Sequence, residues 1–155
     1  MKNKSRYHAI ARKMERPFHF TGADLIVQYD IQYRNGQDCG GAYIKLLTAP
    51  SGNLSLINDQ TPYTIMFGPD KCGSDYKLHF IFTHLNKKSG AKREIHWKNS
   101  HLVASLSDAI VDGKWHLFRL ILRPDNSFEV MMDKRSVGKG KLFEDFSPPI
   151  NADPG

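Results

Sequence analysis

The chain has no apolar run of about 18 residues, the length a helix needs to cross a bilayer, so no segment reads as a membrane-spanning helix. It has only two cysteines in 155 residues. They do not form a C-x-x-C motif, which argues against a zinc site. No HExxH motif and no Ser-His-Asp order is present. Internal repeats and long amphipathic helices are also missing. Met1 is followed by Lys2, Lys4 and Arg6 with no apolar stretch behind them, so a secretory leader is not expected here. The chain ends in Asp153-Pro154-Gly155, which is no retention signal, and both ends read as cuts through a longer protein.

What is present suits one folded domain. Hydrophobic residues make up 40% and aromatics 11%, enough to fill a core and too many for a disordered chain. The net charge is +6, but the cations are scattered. Lys87-Lys88, Lys92-Arg93, Lys134-Arg135 and Lys139 to Lys141 fall in separate stretches that read as turns. Phosphate binding needs cations converging on one face, so no nucleic-acid partner is expected.

Period-two alternation marks the strands. In Leu25 to Tyr33, Leu25, Val27, Tyr29, Ile31 and Tyr33 share one face, and Asn35-Gly36 signals a turn. Ala42 to Leu47 reads as a second strand, with Ala42, Ile44 and Leu46 on one face and Tyr43 and Lys45 on the other. Residues 48–60 read as a polar surface loop. Tyr63 to Phe67 reads as a third strand, ended by Gly68-Pro69-Asp70. Lys77 to His84 alternates again through Leu78, Phe80 and Phe82, before a turn at Asn86 to Gly90. Trp115 to Arg123 and Ser127 to Met132 form a hairpin through Pro124-Asp125-Asn126. Phe143 to Pro149 is extended. Tyr7 to Arg16 is basic and weakly helical up to Pro17, and reads as a loop or strand edge. Many short strands without a long helix predict an all-β sandwich or barrel.

Cys39 and Cys72 permit one disulfide, which implies an oxidising compartment; two buried thiols in a reducing one are the alternative. Asn3-Lys4-Ser5 and Asn53-Leu54-Ser55 are sequons compatible with the first reading, although such triplets are common by chance.

Three stretches carry a family resemblance. Cys39-Gly40-Gly41-Ala42-Tyr43-Ile44-Lys45-Leu46-Leu47 resembles the signature around the first cysteine of the calnexin and calreticulin globular domain. Thr61-Pro62-Tyr63-Thr64-Ile65-Met66-Phe67-Gly68-Pro69-Asp70-Lys71-Cys72-Gly73 resembles the second signature, and Asp75-Tyr76-Lys77-Leu78-His79-Phe80-Ile81-Phe82 continues it. Leu25 to Gly36 and Leu120 to Glu129 are similar to further family segments. The wording from Asp70 to Phe82 is nearer the calnexin and calmegin branch than calreticulin. The resemblance implies a concanavalin-like jelly-roll sandwich of antiparallel sheets, incomplete here. Residues 1–147 would be a partial globular lectin domain, and 148–155 the start of a connection to a proline-rich arm.

The implied function is that of a lectin-type molecular chaperone of the endoplasmic reticulum. Such a protein binds monoglucosylated N-glycans and unfolded polypeptide, serving glycoprotein folding and quality control. By resemblance, Tyr43, Lys45, Tyr63, Met66, Asp70 and Glu94 are sugar-contacting positions, and Cys39 and Cys72 form the family disulfide. The residue types suit the task. Tyrosine covers the apolar C–H face of a sugar and still donates a hydrogen bond, lysine donates, and carboxylates accept. Tyr63 and Met66 differ in strand parity, so sharing one ligand requires a bulge or a strand end between them. Calcium is implied as the family's structural ion, with ligands outside this chain. Oxidoreductase and prolyl isomerase partners are expected only with the arm, and weak or absent sugar binding is expected of residues 1–155 alone.

Two rivals remain. A truncated, non-binding remnant of such a protein would have the same sequence features. A jelly-roll glycoside hydrolase would need two carboxyl groups about 5–9.5 Å apart. Glu129 and Asp133, four residues apart on one strand, would stand roughly 13 Å apart, so no catalytic residue is assigned.

Overall fold

The computed structural model describes residues 6–150. Two antiparallel sheets face each other. In chain order the elements are β1 (Leu25–Gln32), β2 (Cys39–Gly41), β3 (Ile44–Leu46), β4 (Ile65–Cys72), β5 (Asp75–Leu85), β6 (Lys92–Trp97), α1 (Leu106–Val111), β7 (Trp115–Leu122), β8 (Ser127–Met132), β9 (Arg135–Lys141) and β10 (Phe146–Ser147). One sheet has the order β1-β7-β8-β9; the other runs β10-β6-β5-β4-β2, with β3 also paired to β4. This is the all-β, antiparallel architecture expected of the sequence. No helix among the described residues is long and apolar enough to cross a membrane.

The alternating apolar positions fill the space between the sheets. Leu25, Val27, Phe118, Leu120, Phe128 and Val130 come from one side, and Ile65, Phe67, Leu78, Phe80, Ile95, Trp97 and Phe146 from the other. Phe80, Phe128 and Phe146 meet edge to face with centroids 5.0–5.3 Å apart. Each fully buried side chain of this size contributes roughly 1.5–3 kcal/mol. The β7–β8 connection turns as its residues suggest: Asn126 takes a left-handed φ of 64°, and its N–H donates to Arg123 O at 3.0 Å.

Several boundaries differ from the sequence expectation. Of the strand expected over Ala42 to Leu47 only Ile44–Leu46 forms one, β3; the short β2 precedes it, and the two share one register on β4, with Gly41 opposite Asp70 and Ile44 opposite Phe67. Ala42 and Tyr43 interrupt them, so Tyr43 lies outside a strand. Conversely, β4 does not end at Gly68-Pro69-Asp70 but runs through them to Cys72. The two departures have one cause. Ala42 N–H donates to Pro69 O at 2.9 Å, but Pro69 has no N–H to return to Ala42 O. The Tyr29 hydroxyl, reaching across the sandwich from β1, supplies it instead: it donates to Ala42 O at 2.8 Å, with Phe67 O at 3.1 Å. A side chain at Gly68, whose φ is +145°, would come within 2.0 Å of that hydroxyl.

Besides β2, two strands were absent from the sequence reading. β6 places Lys92 and Arg93 in a strand, and β9 does the same for Arg135 and Lys139 to Lys141, rather than in turns. β8 and β9 are joined by Asp133-Lys134, both with positive φ (51° and 65°), which suits a two-residue hairpin. The loop 48–60 contains a single 3-10 turn, Leu54–Leu56. Residues 7–16 form no helix. Of Phe143 to Pro149 only Phe146–Ser147 pairs as strand.

Candidate functional site

Strand parity separates the core from a second surface. On β4, Ile65 and Phe67 join the core, so Met66, Asp70 and Cys72 point to the other face. Across the register, that outer face continues through Lys77, His79, Ile81 and Thr83 on β5, and through Glu94 and His96 on β6. Met66 and Ile81, a cross-strand pair, are 8% and 4% exposed, yet neither belongs to the core cluster. They are apolar side chains shielded on the outward side of the sheet.

Four of the six positions expected from the sequence, Tyr43, Lys45, Tyr63 and Glu94, are linked by cation–π contacts and a hydrogen bond beside Met66, and Asp70 lies on the same face four residues further along β4. Lys45 Nζ stands 4.9 Å from the Tyr63 ring centroid and 5.9 Å from that of Tyr43, within cation–π reach of both. It also donates to Asp59 O at 3.4 Å. The Tyr63 hydroxyl donates to Glu94 Oε1 at 2.6 Å, joining β6 to the rest. Tyr63 precedes β4, and its carbonyl accepts from Thr83 Oγ1 at 2.7 Å. A strand end, not a bulge, therefore lets it share a face with Met66. Asp70 lies in β4 and is no turn former; its Oδ2 is 3.1 Å from His79 Nε2. The Cys39–Cys72 disulfide joins β2 to β4 two residues beyond Asp70 on the same face.

Electrostatics keep the two tyrosines in their phenol form. Burial pushes the Tyr63 hydroxyl well above the usual phenol range, reinforced by its bond to the Glu94 carboxylate. Tyr43 is raised by burial and then by the charge of Asp70. Both remain donors and acceptors at neutral pH.

Two supporting residues escaped the sequence reading. A side chain at Gly41 would fall 2.1 Å from Tyr43 Cε1, so the glycine lets the tyrosine ring lie over β2. The Gly40-Gly41 pair ahead of an aromatic was the available signal. Ile81 was assigned to no role, although its alternation against Phe80 and Phe82 places it on the opposite face. None of the six residues lines the recess of about 400 Å³ at the end of the sandwich, among Phe20, Phe82, Leu122 and Leu142.

The calreticulin family model matches residues 1–154. The chain belongs to the calreticulin family. It is 50% identical over 153 residues to mouse calmegin and 40% identical over 151 residues to Caenorhabditis elegans calnexin, in each case across 97% of this chain. It spans only about a quarter of those relatives, 24% of each. Its structure is similar to the Trypanosoma cruzi calreticulin globular domain, with a TM-score of 0.72 and 31% identity, covering 86% of this chain and 45% of that one.

In this calreticulin-family chain, no group of three or more histidine, cysteine or carboxylate side chains among the described residues is arranged to hold a metal ion. No role is derived through calcium, whose ligands the family resemblance places outside this chain. The carboxylates weighed for hydrolysis are also engaged elsewhere. Glu129 pairs with Arg123 at 3.1 Å. Asp133 does not share a strand with Glu129; it sits in the β8–β9 turn, bonded to His116 Nδ1 at 2.7 Å and to Leu117 N–H at 2.9 Å.

Proposed function

We propose that the outer face of the six-stranded sheet is a sugar-recognition surface and that the protein is a lectin-type molecular chaperone. It binds monoglucosylated N-glycans on unfolded glycoproteins in the endoplasmic reticulum. The observation that carries this reading is the linkage of Tyr43, Lys45, Tyr63 and Glu94 beside a shielded Met66–Ile81 pair on the side of the sheet away from the core, with Asp70 further along the same face.

The chemistry follows from what each group has left to offer. The Tyr43 and Tyr63 rings present apolar area to the C–H face of a hexose, over a floor of Met66 and Ile81. Lys45 is a charged donor for sugar hydroxyls. Tyr63 spends its proton on Glu94, so its oxygen is left to accept. Asp70 is held by His79 through one oxygen, and its Oδ1 has no partner among the described residues.

The test replaces the matching segment of C. elegans calnexin with this chain and measures calorimetric binding of oligosaccharides with and without the terminal glucose. The chimera is expected to prefer the glucose-capped ligand. Lys45→Ala and Asp70→Asn should each lower that affinity about tenfold, equivalent to about 1.4 kcal/mol. A folded chimera whose two variants bind as well as the parent would refute the reading.

A further inference from the structure

We propose that Asn53 is an N-glycosylation site, modified with an oligosaccharide from a lipid pyrophosphate donor. The acceptor triplet Asn53-Leu54-Ser55 has no proline at its middle position, as the chemistry requires. In the fold the asparagine is exposed, in the loop between β3 and β4. That loop is closed at its base by a hydrogen bond between the Thr48 and Thr64 hydroxyls.

The local geometry leaves the reacting atom free. Asn53 Oδ1 accepts from Ser55 N–H at 3.0 Å and from Ser55 Oγ at 2.7 Å, an Asx turn that caps Leu54–Leu56. Its Nδ2 has no partner among the described residues. Nothing lies within 4 Å of where a side chain at the neighbouring Gly52 would begin, so the N-terminal flank is open to a bulky substituent. Leu56 is 72% exposed, and its N–H donates to Asn53 O at 3.1 Å. Residues three apart in such a turn eclipse one another. The leucine therefore offers the first sugar an apolar surface that is otherwise bare to water.

The compartment has separate support. A Cys39–Cys72 disulfide belongs in the oxidising environment where such transfer takes place. In the reaction, Nδ2 attacks the anomeric carbon of the donor sugar. The N–C bond forms, the bond from that carbon to the pyrophosphate oxygen breaks, and the lipid pyrophosphate leaves. The amide proton passes to the transferase. No oxidant or reductant is needed. The inference stands independently of the sugar-recognition face.

The experiment expresses the full chain behind a cleavable secretory leader in a eukaryotic cell. Intact mass is read before and after peptide N-glycosidase, and the modified peptide is sequenced. Asn53 should carry one core oligosaccharide that the glycosidase removes, leaving aspartate at that position. Asn53→Gln and Ser55→Ala should each abolish the modified peptide, while Ser55→Thr, which keeps the hydroxyl, should retain it. Signal from the Asn3 triplet is separated because it persists in all three variants. Secreted chain with its disulfide formed but an unmodified Asn53 peptide overturns the proposal.

Discussion

Removing the Tyr29 hydroxyl tests the account of the interrupted sheet. Tyr29→Phe keeps the ring, which packs against Phe67 and Phe118 with centroids 6.2 Å away, and deletes only the donor. Ala42 O then has neither the tyrosine nor a Pro69 N–H. An acceptor stranded in this way costs about 1–3 kcal/mol. For a chain of this length each kcal/mol lowers Tm by roughly 2–4 °C. The loss should be smaller in a Pro69→Ala background, because the new backbone N–H can pair with Ala42 O directly. A double-mutant cycle should therefore give a coupling of about 1 kcal/mol. Urea unfolding followed by the fluorescence of buried Trp97 measures all four corners. If Tyr29→Phe costs less than about 0.5 kcal/mol, or the two changes simply add, the hydroxyl is not replacing the missing proline donor.

Gly41→Ala should push the Tyr43 ring from its seat, lowering glucose-dependent binding several-fold in the calnexin chimera while Tm changes little; titration calorimetry beside a melting curve distinguishes the two effects. Cys39→Ser should destabilise the chain by about 4 kcal/mol in the loop-entropy view of a cross-link spanning 33 residues, read as a lower urea midpoint. His116 carries a pH signature. Burial opposes its charged form, but bonds to Asp133 and Asp112 outweigh this and hold its pKa above 6.5, while both carboxylates sit below 3.8. A raised histidine stabilises below its unfolded pKa and loses that contribution as pH rises through the folded value; the lowered carboxylates lose theirs as pH falls through their folded values. The stability gap between wild type and His116→Gln should thus be widest at about pH 5.5 and shrink toward pH 8. A constant gap in melting curves across that range would remove the ion cluster from the explanation.

Much of the sandwich was legible because one face of each strand is buried and the other is not. Leu25 to Ile31 and Leu78 to Phe82 alternate with the period that this geometry demands, and the Pro124-Asp125-Asn126 link carries its turn in its residue types. β9 was illegible because it is an edge strand whose sequence, Arg-Ser-Val-Gly-Lys-Gly-Lys, buries almost nothing. β6 hid behind Arg93, a charged residue on the same parity as Ile95 and Trp97. Pro69 misled because proline excludes itself from most central strands, and only the distant Tyr29 makes its place there tolerable. No local pattern in residues 62–72 contains that information. The candidate site residues came from family resemblance. Their shared face followed from register, which a single strand cannot reveal.

The gap opposite Pro69 gives the remote sheet a hold on the outward surface. Tyr29 is anchored in β1 by its pairing with Phe118, yet its oxygen grips the residue next to Tyr43. A substitution that tilts β1 or β7 would be transmitted through one phenol to that tyrosine, from the opposite side of the molecule. Residues far from any ligand would thereby tune how firmly the aromatic rim is set, and selection could act on them without altering a single contact residue.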